Sequence, residues 1–157
     1  MLAVSAFDYY IHEVVKINMI EIFKGNRCMT KSYKNFLISI DSVYQALNTP
    51  SSQAWLENEI SLRHSWKSFQ HSDNVSDAIK LISDKNIWKE IAKKMTETPN
   101  DIKKKLNLII DRRNKIAHEA DIDPSYPGLR WPINESMVED TIAFIENITE
   151  IIHSILK

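Results

Sequence analysis

The chain has 157 residues, 43% of them hydrophobic, with a net charge of −1 and one cysteine, which is enough apolar material for a single domain over residues 1–157 and too little length for two. The near-neutral balance excludes the bulk basic footprint of a protein that coats nucleic acid, and a lone Cys28 excludes a disulfide framework or a thiolate metal cluster. Because no uncharged apolar stretch approaches the roughly 18 residues of a membrane span, and Met1 to Ala6 lack the basic lead of a secretory signal, a soluble, cytoplasmic protein is expected.

Helical periodicity runs through the chain, with no alternating β-branched stretch to support a hairpin. Phe7, Tyr10, Ile11, Val14, Ile17 and Ile22 lie in register over a first helix from Ala3 to Lys24, and Gly25 is placed to end it. The pattern starts without an N-cap, so the chain reads as a whole protein or as a piece of one. A second helix is predicted from Lys31 to Leu47, where Tyr33, Phe36, Leu37, Ile40, Val43, Tyr44 and Leu47 repeat at threes and fours. A third runs from Ser51 to Gln70, with Trp55, Leu56, Ile60, Leu62, Trp66 and Phe69 as its apolar side chains. Asp73 or Ser76 opens a short piece to Ile82, and Ile87 to Met95 forms the next.

Thr98-Pro99-Asn100-Asp101 opens the helix that matters most, with Thr98 as N-cap, Pro99 at the first position and Asp101 completing a capping-box arrangement. It is expected to end near Ala120, because three prolines and a glycine between Asp121 and Pro132 exclude regular helix. Tyr126, Leu129, Trp131 and Ile133 are too apolar for a free linker and predict a loop that packs back near His118. Asn134, or Ser136 with Glu139, caps a last helix through Ile155, with Val138, Ile142, Ile145, Ile148, Ile152 and Ile155 as its buried stripe. The sum is an all-α, mostly antiparallel bundle.

The chemistry concentrates in Asp111-Arg112-Arg113-Asn114-Lys115-Ile116-Ala117-His118-Glu119. At about 100° per residue, Ile102, Leu106, Ile109, Ile110, Ile116, Ala117 and Ala120 share an arc of about 120°, and Arg113 falls near its middle. A guanidinium there keeps its charge, so it either meets a carboxylate or faces something that brings negative charge. Asn114 and His118, at i and i+4, stack about 40° apart, close enough for the amide to fix the imidazole tautomer. Arg113 and His118 are separated by about 140° and about 7.5 Å of rise, an awkward reach for one phosphate within one helix. Two-fold pairing of the helix would instead bring two arginines and two histidines to one cleft. The bland alternatives are an arginine paired with a buried acid and a histidine satisfied by the helix C-terminus.

Arg113-Asn114-Lys115-Ile116-Ala117-His118 fits the pattern R-x(4–6)-H with a polar residue after the arginine. With Leu108-Ile109-Ile110-Asp111-Arg112 before it and Glu119-Ala120-Asp121 after it, the chain resembles the HEPN domains, and within them the prokaryotic RiboL-PSP-HEPN group. The resemblance runs through nearly the whole chain. It implies a metal-independent endoribonuclease, commonly a toxin or abortive-infection effector, whose site lies between two copies dimerised through the motif helix. No cofactor is implied. The ribose 2′-hydroxyl would attack the adjacent phosphorus, with His118 moving a proton, Arg113 holding phosphate oxygens and Asn114 orienting. Arg112, Lys115, Arg130 and Trp131 are candidate RNA contacts, whereas Lys103, Lys104 and Lys105 alone read as a solvated face. The partners implied are RNA, a second copy and an antitoxin protein. A related group paired with nucleotidyltransferase antitoxins carries a tyrosine two residues after the histidine; Ala120 stands there in this chain, which argues against control through that tyrosine. The alternative is a non-catalytic helical module that uses the same cleft to hold RNA, a nucleotide or a protein. The five histidines, His12, His64, His71, His118 and His153, show no metal-binding spacing.

Overall fold

The computed structural model describes residues 2–118, 128, 130 and 132–157. Among these residues there are eight helices and no strand: α1 (Leu2–Phe23), α2 (Lys31–Lys34), α3 (Ile40–Asn48), α4 (Ala54–His64), α5 (Ser72–Lys80), α6 (Ile87–Met95), α7 (Pro99–His118) and α8 (Glu135–Leu156). The all-α expectation holds. No helix among the described residues is long and apolar enough to cross a membrane. The chain divides into two compact units, one formed by Met1–Asp8, Gln70–Ser72 and Asn86–Lys157, the other by Tyr9–Phe69 and Asp73–Lys85.

In the second unit α1 buries Ile11, Val15, Met19 and Ile22, one residue per turn, while Ile17 is exposed. Gly25 ends the helix as expected. Its φ of 81° lets the Asn26 N–H reach the Glu21 carbonyl at 2.9 Å and its own N–H reach that of Ile22 at 3.0 Å, the paired bonds of a Schellman motif.

The continuous helix expected from Lys31 to Leu47 is two helices. Thr30 caps α2 by accepting the Tyr33 N–H, and Ser39 caps α3 by accepting the Ser42 N–H. Glu59 explains the break. Its carboxylate is 3% exposed and accepts hydrogen bonds from the Ser39 N–H (3.2 Å), Ser39 Oγ (2.9 Å), Ser42 Oγ (2.6 Å) and Arg63 Nε (2.6 Å). A backbone N–H committed to that carboxylate cannot serve a helical ladder, so the chain restarts at Ser39. α4 likewise stops at His64, short of the expected Gln70, and leaves Trp66 77% exposed while Phe69 is buried.

The first unit holds α6, α7 and α8. Its core joins Trp88 and Ile91 of α6, Ile102, Leu106 and Ile110 of α7, and Ile145, Ile148 and Ile152 of α8, all buried. Asn86 and Asn134 cap α6 and α8 through their side-chain oxygens. The first turns of α8 depart from the expected stripe: Val138 and Ile142 are 46% and 40% exposed, and Ile133 and Met137 are exposed beside them.

Candidate functional site

The motif helix begins where the sequence places it. The Asp101 N–H donates to Thr98 Oγ1 at 3.2 Å, and the Thr98 hydroxyl donates to the Asp101 carboxylate at 2.6 Å. From this fixed start α7 runs to His118, its last described residue. Ile102, Leu106 and Ile110 bind it to the core for its first three turns. Beyond Ile110 the inward positions turn polar: Arg113 and Asn114 are half-buried, Ile116 is half-buried, and Ala117 is exposed.

Arg113 meets no carboxylate among the described residues. Its Nη1 donates to the amide oxygen of its neighbour Asn114 at 3.0 Å, and its Nε is buried without a hydrogen-bond partner. Among the described residues no carboxylate completes the bonding of this guanidinium, so it is suited to an incoming anion. Asn114 therefore orients Arg113; no hydrogen bond joins it to His118 among the described residues, which differs from the expected amide–imidazole pair. The guanidinium competes successfully because its fork is adjacent, while the imidazole stands exposed one turn beyond, at the end of the helix.

Arg112 and Arg113 both line a groove of about 740 Å³ between α7, the first turns of α8 and the start of α1. Leu2, Leu108, Ile109, Ile133, Met137, Val138 and Ile142 make it apolar, and Lys104 and Lys105 stand at its edge. Arg112 Nη2 reaches the Pro132 carbonyl at 3.4 Å, and Lys105 Nζ lies 4.4 Å over the Phe144 ring. The groove does not include Asn114, Lys115 or His118. These belong to a second, polar face of α7, together with Asn107 and Asp111, which follows from the 100° advance per residue. The segment Gln70–Ser72 lies on that polar face: the Ser72 N–H donates to Asn107 Oδ1 at 2.9 Å, Trp88 Nε1 donates to the Ser72 carbonyl at 3.0 Å, and His71 Nε2 is 3.8 Å from Asp111 Oδ1.

Within one chain, then, the two arginines share a groove while the histidine sits around the helix from them, as the 140° separation requires. Lys115 and Arg130 are exposed, and Trp131, Tyr126 and Leu129 fall outside the described residues. Sequence reasoning ranked Arg112 below Arg113 and read the lysine run as solvated; the groove shows Arg112, Lys104 and Lys105 on one face with Arg113. The signal was available in the spacing 104, 105, 108, 109, 112, 113, which repeats at threes and fours. No group of three or more His, Cys, Asp or Glu side chains among the described residues is placed to hold a metal ion.

An all-helical fold with Arg113, Asn114 and His118 late on one long helix defines a HEPN-type protein. The chain matches the RiboL-PSP-HEPN family over residues 1–157 and belongs to it. No curated protein and no solved structure matches it.

Proposed function

We propose that the protein is a metal-independent endoribonuclease of the toxin or abortive-infection type, and that the whole chain acts as one HEPN domain. Two copies dimerise through the motif helix, and Arg113, Asn114 and His118 of both form the cleaving site. The observation that carries this reading is Arg113: a half-buried guanidinium that, among the described residues, has no acidic partner and no partner for its buried Nε, and that lines an apolar groove. Membership of a HEPN-type family adds independent support for an RNA-directed role.

In the proposed reaction the 2′-hydroxyl loses its proton to an imidazole as its oxygen bonds to phosphorus, the bond to the 5′-oxygen breaks, and that oxygen takes a proton from the second imidazole. The products carry 2′,3′-cyclic phosphate and 5′-hydroxyl ends. Arg113 stabilises the charge that accumulates on the non-bridging oxygens, with its fork held in one orientation by Asn114. Arg112, Lys115, Arg130 and Trp131 contribute contacts to the RNA strand, and an antitoxin protein restrains the free enzyme.

The test is incubation of the purified chain with total RNA in EDTA, with DNA of matching sequence as control. The expected result is RNA cleavage with cyclic phosphate ends, inert DNA, and loss of cleavage in His118→Ala and Arg113→Ala at unchanged melting temperature. Full activity in His118→Ala refutes the catalytic assignment. Binding of RNA without turnover would favour a non-catalytic module, which the groove's apolar lining and cationic edge would also serve.

A further inference from the structure

The amphipathic helix α3 carries its polar side inward and its apolar side outward. Ser42 faces the interior, where its hydroxyl donates to the buried Glu59 carboxylate at 2.6 Å, and the hydroxyl of the N-cap Ser39 donates to the same carboxylate at 2.9 Å. That clamp fixes the roll of the helix. Ile40, Val43, Tyr44 and Leu47 follow at i, i+3, i+4 and i+7 on an arc of about 100°, whose centre lies about 150° around the axis from Ser42. With Leu37 and Ile38, just before the N-cap, they are between 39% and 88% exposed. At roughly 200 Å² for a fully exposed large side chain, the six offer about 750 Å² of apolar surface. The largest patch on an ordinary monomer is about 300–600 Å².

We propose that α3 is a self-association surface: its apolar face is covered by the same face of a second copy, the two helices running antiparallel about a two-fold axis between Val43 and Tyr44. Charge selects this occupant. Asp41 is the one charged residue between Asn35 and Leu56, in a chain of which 26% is charged, and its carboxylate accepts a hydrogen bond from the Gln45 amide at 2.7 Å along the helix. Such depletion marks the core of a protein interface. A helix that lies on a membrane surface carries lysine or arginine on its polar face, and α3 has neither. The α7 groove of another copy is no match, since its Lys104, Lys105, Arg112 and Arg113 would lose water against apolar side chains without gaining an anion.

The stripe is symmetric about its own midpoint. Ile40 meets its counterpart's Leu47 and Val43 meets its counterpart's Tyr44 along about 10 Å of helix, while the two Asp41 stay on opposite edges. A head-to-tail contact would run on into an open chain of copies, whereas this one closes at two. The available area agrees: about 750 Å² per copy is close to the roughly 800 Å² that each partner contributes to a standard stable interface. No residue of α7 takes part, so α3 joins copies whatever the motif helix does.

The experiment is sedimentation velocity on the full chain between about 1 and 100 µM, comparing wild type with the double variant Tyr44→Glu, Leu47→Glu. Both side chains are exposed, so the variant should keep the circular dichroism and melting temperature of wild type. It should associate more weakly by about tenfold or more, because four carboxylates would be buried in the pair without a cation. In wild type this step should not weaken between about 0.05 and 0.5 M salt, since no unpaired charge holds it. Cross-linking reads the register. Ile40→Cys with Leu47→Cys, in a Cys28→Ser background, should give disulfide-linked dimers on mild oxidation, because the pairing sets position 40 opposite position 47. Ile40→Cys alone in that background should not, because its two copies stand about 10 Å apart along the axis. A folded glutamate variant that associates as wild type does overturns the proposal, and so does efficient cross-linking through position 40 alone. Flotation of wild type, but not of the glutamate variant, with phosphatidylcholine vesicles would assign the face to a membrane and overturn it equally. RNA cleavage by the same samples is read separately: none of the altered residues belongs to the proposed cleaving site, so either reading can fail without the other.

Discussion

Replacing His64 with phenylalanine removes a titratable ring from a place where it can hardly take up a proton. The residue is 4% exposed, and neither ring nitrogen has a hydrogen-bond partner among the described residues. Phe69, Phe36 and His12 surround the ring at centroid distances of 5.1, 6.0 and 6.2 Å. Burial first, and then the charges of Lys67 and His12, push its pKa down from 6.5 to about 4. In the unfolded chain the imidazole titrates near its ordinary value, so at pH values between the two the unfolded state holds a proton that the folded state lacks. This contribution to stability is full above pH 6.5 and is lost as pH falls towards 4. At about 1.4 kcal/mol per pKa unit the whole loss is about 3 kcal/mol, and about 2 kcal/mol of it has gone by pH 5. For a chain of this length that lowers Tm by about 4–8 °C. Thermal unfolding followed by circular dichroism at pH 8, 6 and 5 measures it, with the His64→Phe protein as the reference for every other group that titrates. The variant should lose less stability than wild type across this range, by about the amount given. Equal pH slopes for the two proteins would refute the reasoning.

Glu59→Gln should lower stability by about 2 kcal/mol, read as the urea midpoint, because a buried carboxylate that accepts four hydrogen bonds is replaced by an amide that must turn donors towards donors. Gly25→Ala should cost about 1 kcal/mol; nothing lies within 4 Å of the added methyl, so the left-handed backbone alone sets the penalty. Thr98→Ala should cost about 1 kcal/mol by uncapping α7, and Thr98→Ser should restore most of it. Arg113→Lys keeps a charge but loses the fork that Asn114 orients, so RNA cleavage should fall at least tenfold while Tm stays within a degree or two.

The helices whose ends are local were readable. Gly25, Asn86, Thr98 and Asn134 each stop or start a helix with groups a few residues away, and α1, α6, α8 and the start of α7 fall where the sequence put them; the end expected for α7 near Ala120 lies outside the described residues. The breaks that depend on distant partners were not. Ser39 ends the continuity of a helical pattern because of Glu59, twenty residues on, a reach that no local rule encodes. Trp66 illustrates the same limit: its spacing from Phe69 marks both as packed, yet the helix has already stopped at His64 and only Phe69 turns inward.

At the candidate site, the linear order of residues settled which groups are present and how they are spaced: an arginine, an amide and an imidazole on one helix, with the arginine and histidine too far around the axis to converge within one chain. Those conclusions need only the pitch of a helix. Which side of α7 is core and which is groove came from packing, because an apolar residue at a helical period looks the same whether another helix covers it or nothing does. Val138 and Ile142 read as buried and are exposed, while Lys104 and Lys105 read as a solvated face and share a groove with Arg112 and Arg113. Burial is a property of the neighbours a side chain acquires, and those neighbours are assigned only when α1, α7 and α8 come together.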